Sequence, residues 1–477
     1  MRKLIFSFII LLLMISCSKN SEISTVILNG KIRNNQSNEI GVILFENFIT
    51  RDNKTFTTQI NDSGEFKLVL TVDKPQYALL SRPRGNYPLF LYPEDSLYLT
   101  FDDNDVVQTL NFKGNGADHN NLLSEHNKKY SLNNFFKVMR ETNIGEFKNH
   151  LLSIHQEEHE FLNNALSGTK LRKEFVSYIN ATIKYQFYMM MFMHKGYYSY
   201  ANKVPMDSLH VPENYYDFID EKDFNDDSAL INADDYLNAL SYYIRHKLGS
   251  KKFDTYDQYF EAMYIYSNTN LKNKTRDYFI GNIISQKIER TQSIDDSVYQ
   301  DFINICKSSN VRNIVEKIYQ KNKSIQELVG STFPENILQS KLFTVANNQI
   351  LFKDLLEMCK GNIVFIDIWS LGCGPCMSEL PHSKELINKY KNENIKFIFF
   401  SVDQTNEMWK KGIEISGIKD GHYKLDKGFD SELLKTLNIK GIPRYLIIDK
   451  NGYIINLDSK RPSSKELVLE LNKLLNA

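Results

Sequence analysis

The sequence predicts a multidomain chain: a β-rich, sandwich-like N-terminal domain, a central α-helical domain and a C-terminal α/β domain. Three observations predict it. Short apolar and β-branched runs separated by turn residues fill positions 24–116. Proline nearly disappears over 118–328, where Leu, Tyr, Phe and Lys recur at three- and four-residue intervals, as amphipathic helices require. Over 333–477, short strand-like runs alternate with helical ones. A chain of 477 residues has room for two or three such cores.

The first seventeen residues stand apart. Met1-Arg2-Lys3 precedes a largely apolar run from Leu4 to Ile15, and Ser16-Cys17 follows it directly. A charged start, a short apolar stretch and a small residue before a cut describe a secretory signal, and the run is too short for a comfortable membrane span. The Cys at the cleavage point resembles a bacterial lipobox, which implies that Cys17 is the site of lipid attachment and the mature N-terminus. The alternative is an ordinary signal peptide that ends near a cysteine. An acylated Cys17 would anchor the protein to a membrane, because each buried methylene contributes about 0.8 kcal/mol.

In the β-rich segment the runs are Val26-Ile27-Leu28, Lys31-Ile32, Gly41 to Phe45, Thr55 to Ile60, Phe66 to Thr71, Tyr77 to Ser81 and the stretch after Tyr92-Pro93 to Thr100. Asn61-Asp62-Ser63-Gly64 reads as a hairpin turn. Many short strands at this spacing predict a sandwich. In the helical segment, Asn180 to His194 carries Tyr185, Phe187, Tyr188, three consecutive methionines, Phe192 and Met193, apolar nearly all round. A central buried helix accounts for it; a Met-rich adaptable groove is the sharper alternative. His194, alone near the helix end, reads as structural. The linker 329–338 leads into the α/β domain, where Phe343-Thr344-Val345 and Asn347 to Ile350 form a short edge hairpin and Phe352 to Met358 the first helix.

The chemistry concentrates in Trp369-Ser370-Leu371-Gly372-Cys373-Gly374-Pro375-Cys376. The preceding run Ile363 to Ile368 is short, apolar and β-branched, as in a buried strand. After it, Leu380, Leu386, Ile387 and Tyr390 fall at helical spacing, and Pro375 sits where a first helical turn tolerates a missing N–H. Cys373 then lies at a helix N-terminus, where unpaired amides favour a thiolate. A thiolate with a neighbouring thiol is the working part of a dithiol–disulfide exchanger. Half a zinc site has the same spacing. The nearest further ligands, Cys359 and His382, form no second pair, so no metal is expected.

Asp367-Ile368-Trp369, then Cys373-Gly374-Pro375-Cys376, then Pro381 resemble thioredoxin, as do Lys440-Gly441-Ile442-Pro443 and the run Tyr445 to Ile448. Asp449 to Ile455 reads as the following hairpin, with Asn451-Gly452 as its turn. A long segment between the motif and Pro443, together with the export signal, points to the membrane-tethered TlpA/ResA-like branch. The resemblance spans about 333–477. The β-rich segment, with Phe112 to Ala117 at its exit, resembles the domain that precedes thioredoxin modules in bacteroidete lipoproteins.

That resemblance implies residue roles. Cys373 attacks and Cys376 resolves, with a redox-active Cys373–Cys376 disulfide as the oxidised state. Asp367, on the buried strand, accepts the Cys376 proton, its pKa raised by desolvation. Pro443 is cis and lies against the disulfide, Ile442 offers its backbone to an extended substrate by strand pairing, and Trp369 packs beneath the motif. Pro381 kinks the helix. Two positions depart from the pattern. Gly372 stands where Trp is usual, which opens the site, and Arg444 replaces a small polar residue. A guanidinium there is expected to steady the thiolate or to select an acidic partner, unless it points to solvent.

Five cysteines are present; with Cys17 lipidated and Cys373 paired to Cys376, Cys306 and Cys359 are expected buried and reduced. A composition 42% hydrophobic and 24% charged with net charge +0 argues against a nucleic-acid partner. Gly-Pro between the cysteines is thioredoxin's own pair, and thioredoxin lies at roughly −270 mV. The expectation is therefore a lipid-anchored reductase or isomerase of exported protein disulfides, facing the periplasm, needing no cofactor and kept reduced by a membrane electron donor. Reduction of haem-attachment thiols in cytochrome c maturation is a related alternative. A partner-binding lipoprotein that uses the C-terminal domain as a scaffold is the alternative from another class.

Overall fold

A computed structural model describes residues 24–249, 251–253 and 255–476. Cys17 and the rest of the signal segment lie outside these residues. The chain divides into two compact units between Lys247 and Leu248.

Among the described residues the first unit opens with eight strands: β1 Ser24–Arg33, β2 Glu39–Phe45, β3 Asn53–Gln59, β4 Glu65–Val72, β5 Gln76–Arg82, β6 Gly85–Leu91, β7 Ser96–Asp102 and β8 Asn111–Asn115. They form two four-stranded sheets, ordered β4-β1-β7-β8 and β3-β2-β5-β6. Strict alternation builds the sandwich: in β4, Phe66, Leu68, Leu70 and Val72 turn inward while Glu65, Lys67, Val69 and Thr71 turn out. Their inner faces meet in one core, with Leu28 and Leu70 from one sheet against Val42 and Leu80 from the other. The Asn61–Gly64 turn differs from the expected hairpin. It does close, with Asn61 N–H donating to the Glu65 carbonyl. Yet β3 and β4 belong to different sheets, so the turn carries the chain across the sandwich. Gly64 adopts φ +78°, and a Cβ there would lie 2.3 Å from the Ile32 carbonyl oxygen, so glycine is required.

Helices α1 Val106–Thr109, α2 Ala117–Tyr130, α3 Leu132–Glu141, α4 Ile144–Gly168, α5 Lys173–Asn202 and α6 Ala233–Lys247 complete this unit. The expected central helix is α5. Its Phe187, Met190 and Met191 pack against Phe135, Phe147 and Tyr215. His194 is fully buried, its ring stacked on Phe147, with one nitrogen 2.9 Å from the Thr142 carbonyl and the other 3.1 Å from the Tyr215 hydroxyl.

The second unit opens with four helices, α7 Tyr256–Asn270, α8 Asn273–Thr291, α9 Asp296–Ile305 and α10 Ser309–Gln326. The helices expected as one domain are thus divided between the two units. After α11 Glu335–Leu338 come β9 Lys341–Thr344, β10 Gln349–Leu351, α12 Phe352–Met358, β11 Ile363–Trp369, α13 Gly374–Lys389 and β12 Ile395–Ser401. The chain continues through α14 Asn406–Ser416, β13 His422–Leu425, α15 Glu432–Thr436, β14 Arg444–Ile448, β15 Ile454–Asn456 and α16 Lys465–Leu475. One seven-stranded sheet results, ordered β10-β9-β13-β12-β11-β14-β15. Its centre, β11, runs parallel to β12 and antiparallel to β14, and all seven of its residues are buried. A continuous apolar run is what a strand covered on both faces requires. The architecture is the expected one: β-rich sheets, helices, then a thioredoxin-like α/β domain. Among the described residues no helix is long and apolar enough to cross a membrane.

Candidate active site

The site forms where β11 ends and α13 begins. Cys373 is the N-cap of α13, and its sulfur accepts the Cys376 N–H at 3.1 Å. That places Cys373 at the positive end of the helix dipole. Cys373 is half-buried, whereas Cys376, one turn on, is 2% exposed. The two are joined by a disulfide, S–S 1.99 Å and Cα–Cα 5.2 Å. Cys306 and Cys359 are buried and unpaired. Burial raises both thiols, Cys306 to about 11 with help from Asp277, so neither is a ready nucleophile.

Trp369 is fully buried and packs with Cys376, Leu380, Phe399 and Trp409, while Cys373 and Ile442 border the same cluster. Gly412 on α14 lets the helix approach; a Cβ there would lie 2.7 Å from the Trp369 ring. The peptide bond Ile442-Pro443 is cis. The structure therefore brings together Trp369, Cys373, Cys376 and Ile442. Gly372 is exposed, with no atom within 4 Å of where a Cβ would stand, so the lip before Cys373 is open.

Asp367 lies 2% exposed on β11, opposite Tyr445 of β14. Above it, α13 buries Cys376, Glu379 and Ser383, three residues at successive helical spacings on one face. Asp367 Oδ1 has no hydrogen-bond partner. Burial, and then the neighbouring Glu379 charge, push its pKa up to about 8, opposed only in part by the Ser383 hydroxyl. A buried acid near 8 is a proton acceptor matched to a thiol.

Arg444 is placed differently from the expectation. Neighbouring residues of a strand face opposite ways, so Tyr445 joins the Asp367 side and Arg444 the other. Its guanidinium, 3% exposed, pairs with Asp458 at 2.6 Å and donates to the Glu289 carbonyl at 2.7 Å. It neither meets solvent nor serves the dithiol as a free cation.

Two further site residues do not stand out in the sequence. Glu379, buried, accepts from Ser463 N–H and hydroxyl at 3.0 Å each, with Arg461 3.8 Å away. Its signal is its place three residues after Cys376, on the buried face of α13. Asp403, also buried, receives the Leu371 N–H at 3.1 and 3.3 Å and the Ser401 hydroxyl at 2.8 Å. It thereby ties the loop entering the motif to the end of β12. An acidic residue just past a buried strand is the only sign of it in the sequence. Among the described residues no group of three or more His, Cys, Asp or Glu side chains is placed to hold a metal.

Comparison with known proteins agrees with this geometry. The thioredoxin-like family matches residues 361–454. Over 118 residues the chain is 32% identical to the thiol-disulfide oxidoreductase ResA of Bacillus thuringiensis subsp. konkukian, covering 25% of this chain and 66% of that protein. With ResA of Bacillus anthracis it shares 29% over 126 residues, 26% of this chain and 69% of the relative. The crystal structure of the thioredoxin domain of a thiol-disulfide oxidoreductase from Bacteroides vulgatus covers 31% of this chain and 98% of its own, at 26% identity and TM-score 0.27. The chain spans just under two thirds of the first of these relatives, 66% of its length. By its thioredoxin-like match and its identity with the ResA proteins, the C-terminal region of this chain is similar to the thiol-disulfide oxidoreductases of the TlpA/ResA-like kind.

Proposed function

We propose that this protein is a thiol–disulfide oxidoreductase that reduces or isomerises disulfides of exported proteins. In this reading it is held to a membrane by lipidated Cys17, faces the periplasm and is kept reduced by a membrane electron donor. The observation that carries the proposal is the accessible-to-buried cysteine pair at the start of α13, set over a buried Asp367 whose pKa lies near that of a thiol.

The Cys373 thiolate attacks one sulfur of a substrate disulfide. A Cys373–substrate bond forms, the substrate S–S bond breaks, and one substrate sulfur leaves as a thiolate. Cys376 then gives its proton to Asp367 and attacks the Cys373 sulfur, releasing the second substrate thiolate. Two electrons pass from the dithiol to the substrate, leaving the Cys373–Cys376 disulfide. The ResA relatives, named thiol-disulfide oxidoreductases, support the reaction class.

The test is trapping in the native envelope with the Cys376→Ser variant of the full chain. Without a resolving thiol, discrete mixed disulfides with envelope proteins are the expected result; none under mild oxidation sinks the reading. A reduction potential near roughly −270 mV supports the reductase direction, and one near roughly −120 mV, where strong oxidants lie, overturns it.

A further inference from the structure

Two helices of the second unit, α8 and α10, reach the loop that carries Ile442 and Pro443. This loop, residues 437–443, joins α15 to β14 and is itself neither helix nor strand. At its start, the buried Gln292 at the end of α8 donates to the Leu437 carbonyl at 2.7 Å. Gln292 is fixed in turn by Asn322 of α10, whose amide donates to the Gln292 carbonyl at 2.9 Å. Lys321 of α10 donates to the Asn438 side chain at 2.9 Å, and Lys440 pairs with Glu289 of α8 at 3.1 Å. At the loop's far end, Arg444 reaches the Glu289 carbonyl and Asp458.

A backbone that is to pair with an incoming strand must leave its own N–H and C=O groups uncommitted. Such a loop gains no ladder bonds from its own chain, so its position has to be set from its flanks. The side chains of α8 and α10 meet that need on both sides of Ile442-Pro443.

We propose that Gln292 and Arg444 are positioning residues, which lock the Ile442-Pro443 loop against the end of α8 so that helices α8 and α10 set how an extended, disulfide-bearing polypeptide docks beside Cys373. The inference rests on the oxidoreductase reading. It makes the helical segment of the second unit part of substrate binding, while the dithiol itself stays outside its reach. A small disulfide that needs no strand pairing is then indifferent to the brace.

The test uses the full chain, reduced, with two probes: insulin as the polypeptide disulfide and Ellman's reagent as the small one. Gln292→Leu removes the bond to the loop without touching a charge. Arg444→Met with Asp458→Asn removes the buried pair without stranding either partner. For both variants the KM for insulin is expected to rise about tenfold, the value of one lost well-placed hydrogen bond, with kcat kept. The rate with Ellman's reagent is expected to stay within about twofold. Arg444→Lys, which keeps the charge opposite Asp458 but loses the fork to Glu289, is expected to fall between. If the double variant does not fold, as judged by fluorescence of Trp369 and Trp409, Gln292→Leu carries the test. Equal losses on both probes, or no change on insulin, overturn the proposal. A parent protein inert toward both probes overturns the oxidoreductase reading itself.

Discussion

Replacing Asp367 by Asn changes one oxygen to an amide and removes a buried titration. In the folded protein the carboxyl holds its proton up to about pH 8, against an ordinary value of 3.8. The native state therefore binds a proton that the unfolded chain releases, and stability falls as pH rises between those two values. Above the upper one the loss is complete; below the lower one it is absent. Each pH unit inside the window costs about 1.4 kcal/mol, so from about pH 5 to about pH 8 Asp367 takes away up to about 4 kcal/mol. Burial supplies the largest part of this shift and Glu379 the next. The assay is urea unfolding followed by tryptophan fluorescence. Both of the chain's tryptophans, Trp369 and Trp409, lie in the cluster around Cys376, so the signal belongs to the second unit alone. In the Asn variant that slope is expected to vanish, so its stability relative to the parent rises by roughly 3–4 kcal/mol between about pH 5 and about pH 8. Parallel pH dependences of parent and variant, within about 1 kcal/mol across the window, refute a buried Asp367 with a raised pKa.

Two further outcomes follow from other sites. Asp403→Ala takes the acceptor from the half-buried Leu371 N–H and is expected to cost about 1–2 kcal/mol in the same fluorescence measurement. Amide exchange at Leu371 should quicken, and unchanged exchange there contradicts the role given to Asp403. In the first unit, burial drives His119 and His194 down to about 4, from 6.5. Their neutral forms are favoured on folding, so this stabilisation is present above the unfolded value and is lost as pH falls from 6.5 towards 4. The loss reaches at most about 3 kcal/mol for each ring. The far-UV circular dichroism change that is not accompanied by tryptophan fluorescence, and so belongs to the first unit, is expected at lower urea at about pH 5 than at about pH 7, and equal midpoints for that change refute it.

Much of the site is legible in the amino-acid sequence. A β-branched run ending in Trp369, two cysteines flanking Gly374-Pro375, and helical spacing after them state a strand-to-helix turn with a dithiol at its start. Each of these is a local constraint, so local chemistry suffices to read it. The identity of Ile442-Pro443 as the second wall of the site comes from resemblance, because 66 residues in sequence separate Cys376 from Ile442, which the fold brings into one cluster.

What the chain's order does not convey is which distant groups meet. Arg444 reads as a cation free to act at the site, and strand alternation instead turns it to the other face, onto Asp458 and Glu289. The Asn61–Gly64 turn reads as a hairpin, since turn residues specify a reversal and not which sheet the next strand joins. The helical segment reads as one domain because amphipathic periodicity marks a buried face without naming what covers it. Sequence alone determined the strands, the helices and the dithiol chemistry, all set by bonds and spacings within a few residues. Tertiary structure decided the division of the helices between two units, the placement of Glu379 beside the buried Asp367, and the clamp on the Ile442-Pro443 loop. Those depend on desolvation and side-chain reach across the fold, which exist only once the chain is packed.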